Sequence, residues 1–211
     1  MTSCLKKGTE TIALPFGKIP EEVIPHEINE KFKQHMNINE GLTPPNIEGE
    51  YVCKPNTLVY SSDNDFEVGY VFTTSYFKFD NQTANGMATY NESSGNSTSE
   101  SPEVYVIGSG NNFTAYFVRT SYYYDDYGNY EGWSKVSQMA SGTITNSGIA
   151  NYRYAFIMLD KYDPNNRLMD VNEFRVIEDN DGMASKESWT KSKSTITDNK
   201  YTALSKCNTS K

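Results

Sequence analysis

Cysteine and histidine are scarce in this 211-residue chain, which holds three of the first and two of the second. No Cys-x-x-Cys pair occurs, so thiol-redox and zinc-ribbon chemistry find no support. The histidines, His26 and His35, stand nine positions apart on one expected helix. That is about two and a half turns, so they point to opposite sides and cannot share a metal. Gly-x-Ser-x-Gly, His-Glu-x-x-His and phosphate-binding glycine loops are absent as well. The reading is a non-enzyme with no catalytic residue, no cofactor and no metal. Basic residues are also few: 19 Lys and Arg against 27 Asp and Glu give a net charge of -8. Such a surface repels phosphate backbones and anionic headgroups, which excludes nucleic acid as an expected partner. No stretch reaches the roughly 20 apolar residues of a membrane-spanning helix.

Aromatics are what the chain has instead, with 16 Tyr and 10 Phe. They offset a mean hydropathy of -0.67 and argue for a folded core. They fall in short runs rich in Val, Ile and Thr, closed by Asn, Asp, Gly and Ser turns. Eight strand-like segments result: 51–61, 67–79, 86–90, 104–108, 113–124, 134–145, 152–159 and 174–178. Pro55 bends the first, and Asn146-Ser147-Gly148 marks a tight turn. Such regular spacing predicts an all-β fold, an antiparallel eight-stranded barrel. Before it, Ile24, Ile28, Phe32 and Met36 recur every four residues behind Pro25, predicting one short helix over 25–36. It is expected to lie against the shell or plug one end.

The organisation read from this is a tether over 1–19, one domain over 20–190 and a Ser/Thr/Lys-rich tail over 191–211. Residues 91–103 hold no large apolar side chain and read as a mobile surface loop. A short helix over 185–193 is expected to dock Trp189.

The sharpest candidate site is the stretch 121–133, where Tyr122, Tyr124, Tyr127 and Trp133 stand beside Asp125, Asp126 and Glu131. Ring faces with nearby carboxylates suit stacking on sugars or capping apolar ligands. The plainer alternative is a hairpin whose rings pack on its own strands. Acidic loops at 160–170 and 178–181 lack the glycine and glutamate spacing of a calcium loop and read as solvated turns. Five Asn-x-Ser/Thr sequons, at Asn81, Asn91, Asn96, Asn112 and Asn208, follow from an Asn/Ser/Thr-rich composition.

Ser3-Cys4 followed by a polar stretch resembles the end of a bacterial lipoprotein signal, without that signal's charged and apolar regions. The resemblance implies lipid attachment at Cys4. Cys53 and Cys207 then remain. In a closed barrel the first and last segments are neighbours, so they either bridge or stay free thiols. The run from Asn46 to Tyr51, with Gly49 and Tyr51 at the head of the strand series, resembles the Gly-x-Trp opening of lipocalins. Arg175 stands where that family places a last-strand arginine near the aromatic. The chain as a whole resembles lipocalin-like, calycin-type lipoproteins of Bacteroides-type bacteria. That implies a bacterial cell-envelope address on the periplasmic or surface side, with membrane contact only through a lipid anchor. The expected function is binding of a small apolar or amphipathic ligand inside the barrel. The alternative is an accessory or structural protein that contacts a protein or glycan through its aromatic loops.

Overall fold

The computed structural model describes residues 19–188. Cys4, Cys207 and Trp189 lie outside them, so the lipid site, the Cys53–Cys207 pairing and the docked tryptophan do too. Among the described residues Cys53 is a free, buried thiol.

One helix, α1 (His26–Lys33), precedes eleven strands. They are β1 (Gly49–Cys53), β2 (Asn56–Ser61), β3 (Val71–Phe72), β4 (Ser75–Asp80), β5 (Met87–Ser94), β6 (Ser97–Ser109), β7 (Asn112–Tyr124), β8 (Tyr130–Ile144), β9 (Gly148–Tyr162), β10 (Phe174–Asp179) and β11 (Met183–Lys186). All lie in one antiparallel sheet. β1, β4, β5, β6, β7, β8 and β9 pair in that order, and β11 pairs with both β9 and β1. The pairings thus close into a ring of eight strands. Further along β9, β10 replaces β11 as its neighbour and carries β2 and then β3 beside it. Each broken pair arises from local chemistry. Pro55, which lacks a ladder N–H, separates β1 from β2. Asn180, Asp181 and Gly182 separate β10 from β11.

Alternate positions point into the ring. Phe113, Ala115 and Phe117 of β7 face inward, with Phe79 of β4, Tyr90 of β5 and Tyr152 of β9. Phe77 stacks on Tyr152 across the interior, ring centroids 4.7 Å apart, and Tyr90 meets Phe117 at 4.7 Å. Rings that touch across the middle leave no lumen at that level. Each fully buried ring contributes about 1.5–3 kcal/mol. The helix lies on the outer face instead. Ile24, Ile28, Phe32 and Met36 all pack against outward residues Tyr116, Met139 and Ile157. The expected stripe is therefore buried, against the shell and not in its end. The helix is shorter than 25–36, with Pro25 as its N-cap and the chain turning after Lys33.

Several expectations need correction. Residues 91–103 are no loop: β5 and β6 run through them, joined by Gly95-Asn96. Their inward side chains are polar, with Glu92, Ser99 and Ser101 buried, so the usual apolar alternation is missing there. The segment 67–79 is not one strand. Only β3 and β4 form, and Phe66 of the preceding loop and Phe72 of β3 pack over the core. Ser185 and Lys186 are in β11, not in a helix. Most of 121–133 is strand, leaving only 125–129 as a turn. His35 is half-buried and stacks on Tyr60 at 3.8 Å, whereas His26 is exposed.

Candidate functional site at the loop end of the ring

Because the strands alternate in direction, their connections sort to two ends. Residues 62–74, the β5–β6 turn, the β7–β8 turn and residues 163–173 gather at one end. Direct contacts tie them together. Asn96 Nδ2 donates to Asp126 at 2.7 Å, Arg167 pairs with Glu131 at 2.7 Å, and the Ser62 hydroxyl donates to Glu173.

The β7–β8 hairpin presents the four aromatic residues expected from sequence. Tyr122 pairs with Trp133, and Trp133 with Tyr162 of β9. By register all three lie on the outer face, the same face as Tyr116. Tyr124 meets Tyr130 edge-on at 6.2 Å. Tyr127 stands at the tip, 83% exposed. The turn is held by Asp125, whose carboxylate accepts from the Tyr127 and Asn129 backbone N–H groups at 2.9 and 2.8 Å and from Asn129 Nδ2 at 2.8 Å. The Asn129 side-chain bond, with those backbone N–H groups, lowers the Asp125 pKa.

The sequence missed Tyr162, Asn165 and Arg167, which another segment brings to this end. Tyr123 points inward and shares a hydrogen bond with Ser134 at 2.8 Å. Together with Tyr124, Tyr162, Glu131, Asn165 and Arg167 it lines a cleft of about 220 Å³ at the mouth. Among the described residues, eight large apolar or aromatic side chains are exposed. Seven sit at this end: Val68, Tyr70 and Val71 before β4, Tyr127 and Tyr130 on the hairpin, Tyr162 closing β9 and Val171 after it. Exposed apolar groups gathered at one place mark contact surfaces more often than scattered ones do. The aromatics and aliphatics at 67–72 are the available signal, but their composition reads as part of a strand over 67–79.

Beneath the mouth the interior is polar. Glu92 forms a buried ion pair with Arg119 and accepts the Ser75 hydroxyl. Burial opposes the Arg119 charge, and Glu92 and the nearby tyrosines more than offset it, so the guanidinium stays protonated. Tyr154 donates to Asn56 at 2.9 Å. Burial, reinforced by Asp179, pushes the Cys53 thiol up. A protonated, fully buried thiol is a poor nucleophile. Asp179, 4% exposed, is itself raised by burial to about 6. Above this layer Met169 packs on Val136 and Met158, covering part of the interior.

Arg175 does not meet Tyr51. Its guanidinium lies 5.0 Å from the Phe66 ring centroid and pairs with Asp63 at 2.9 Å, while Tyr51 stacks on Phe77 and donates to Ile47 O. The acidic loop after β9 has no free cage for a cation. The Asp163 carboxylate accepts the Arg167 and Leu168 backbone N–H groups and pairs with Lys161. No cluster of metal-ligating side chains forms among the described residues. Other hollows lie outside the ring: a polar groove of about 370 Å³ near Asn151 and Arg153, and a trough of about 720 Å³ beside α1. No family model, no curated protein and no solved structure matches the chain.

Proposed function

We propose that this protein is a non-enzymatic accessory protein of the bacterial cell envelope, anchored through lipid on Cys4, that contacts another envelope component through the loop end of its ring. In this reading the eight strands form a lipocalin-like barrel used as a rigid stalk. The observation that carries it is the concentration of exposed aromatic and apolar side chains at that one end. A ligand carried inside the barrel is the less favoured reading. The rings of Phe77, Tyr152, Tyr90 and Phe117 occupy the space such a ligand needs. The same interior supports the non-enzymatic reading, since Cys53 is held protonated and Glu92 is paired with Arg119.

Tyrosine-directed surface labelling tests the proposal. Labelling of Tyr127, Tyr130 and Tyr162 is compared between intact host cells and the purified protein. Protection in cells, reversed on purification, is expected. Equal labelling in both would remove the contact-face reading. The native and denatured masses of protein taken from its host envelope give a second arm. A mass excess lost on denaturation would restore the carried-ligand reading.

A further inference from the structure

The exposed rings at the loop end are set in carboxylates. Residues 62–74, 125–131 and 160–173 contain ten acidic and two basic side chains, a net charge of -8 that equals the formal charge of the whole chain. Five of the ten are ion-paired, to three cations. Asp63 and Asp65 pair with Arg175, Asp163 and Asp170 with Lys161, and Glu131 with Arg167. The other five, Glu67, Asp125, Asp126, Asp160 and Glu173, make no ion pair among the described residues. Glu67, Asp126 and Asp160 are exposed, the first two on the same loops as Tyr70 and Tyr127 and the third beside Tyr162 at the end of β9.

We propose that this aromatic face docks a Lys/Arg-bearing polypeptide segment of a partner protein. The inference rests on the loop end being the contact face. Charge complementarity selects the occupant. Unpaired carboxylates beside exposed tyrosine faces attract a cationic side chain by Coulomb and cation–π forces together. The loop end already holds one cation this way: Arg175 lies over Phe66 at 5.0 Å and Phe72 at 5.9 Å with Asp63 against its Nη2. A bilayer fits poorly, because anionic headgroups are repelled by the same carboxylates. A neutral glycan draws on the rings but leaves the unpaired carboxylates uncompensated.

The test uses the full-length protein and a fluorescein-labelled peptide of alternating lysine and serine, read by anisotropy. A glutamate–serine peptide and a neutral cello-oligosaccharide are the comparison probes. The lysine peptide is expected to bind at low ionic strength and to be released at about 1 M salt, where screening is nearly complete. Glu67→Gln, Asp126→Asn and Asp160→Asn together weaken it about tenfold. Tyr127→Ala with Tyr130→Ala weakens it about fivefold, which attraction to bulk negative charge alone does not produce. No binding of the lysine peptide, equal binding of the glutamate peptide, or a double tyrosine variant with full affinity overturns the inference. If the oligosaccharide binds and the peptide does not, the cationic partner is wrong. Protection of Tyr127 in cells alongside peptide failure likewise discards only the partner, whereas loss of that protection removes the contact face itself.

Discussion

The strand ring ends in two different ways. At one end the connections at 81–86, 110–111 and 145–147 are short and contain no charged residue. The backbone there is crowded. Gly148, at φ +153°, brings its Cα so near β11 that a Cβ would sit 2.1 Å from the Ala184 carbonyl oxygen. The opposite end has the long connections at 62–74 and 163–173 and the net charge of the molecule. The interior follows the same division, aromatic rings toward the turn end and the Glu92–Arg119 pair toward the loops. Turns that only reverse the chain need neither charge nor exposed rings. An end that carries both spends solubility and packing on something other than closure, and loops on a rigid scaffold are where binding residues concentrate.

The contrast inside the ring is broken most sharply at Arg119. Arg119→Met leaves the Glu92 carboxylate buried without its partner and is expected to cost about 3–5 kcal/mol. Combining it with Glu92→Leu removes both charges, and urea unfolding should find the double variant more stable than the single one. A double variant as unstable as Arg119→Met would mean that the polar layer is needed for packing and is not a self-compensating pair.

A second break lies at the seam where β10 gives way to β11. Burial raises Asp179 to about 6, so the folded state favours its protonated form. That contribution is complete below about pH 4 and is lost as the pH rises through about 6. Asp179→Asn should therefore stabilise the protein by about 2–3 kcal/mol near pH 8 and by nothing below about pH 4. Unfolding curves that keep a constant separation across this range would show that Asp179 ionises freely.

Closure at the turn end is probed by Gly148→Ala. Strain at a positive φ and the clash with Ala184 O together predict a loss of about 1–3 kcal/mol. Amide exchange should rise first along β11 and its partners in β1 and β9. Uniform exchange across the sheet would mean that ring closure and the meander melt as one unit.

How much of this the sequence discloses depends on which half a segment serves. β7 was legible because Phe113, Ala115 and Phe117 alternate toward an apolar interior. The helix stripe was legible for the same reason at a period near four. The β5–β6 hairpin was not, because its inward residues Glu92, Ser99 and Ser101 find their partners only in space. Glu92 meets Arg119, 27 residues on, and Ser99 meets Ser121 at 2.9 Å. The aromatic run at 66–72 imitates one continuous strand, yet only Val71 and Phe72 pair, as β3, and Phe66 and Phe72 pack on Arg175. At the candidate site, Tyr122, Tyr124, Tyr127 and Trp133 were readable because one hairpin holds them all. Tyr162, Tyr70 and Arg167 come from segments that the ring brings together only when it folds.

The smallest expected effect is the most pointed. Tyr127 is 83% exposed, and no ring contact or side-chain hydrogen bond to it occurs among the described residues. Tyr127→Ala should leave stability within about 0.5 kcal/mol, the range of ordinary surface substitutions. The turn is set by Asp125, which takes the Tyr127 backbone N–H whatever side chain follows. Asp125→Ala removes that anchor together with both bonds to Asn129 and should cost more, about 0.5–2 kcal/mol, by analogy with losing a cap. Thermal unfolding of the two variants separates a ring that shapes the hairpin from one that is only displayed on it. If Tyr127→Ala lowers stability as much as Asp125→Ala, the aromatic tip belongs to the fold, and the difference between the two ends becomes one of packing alone.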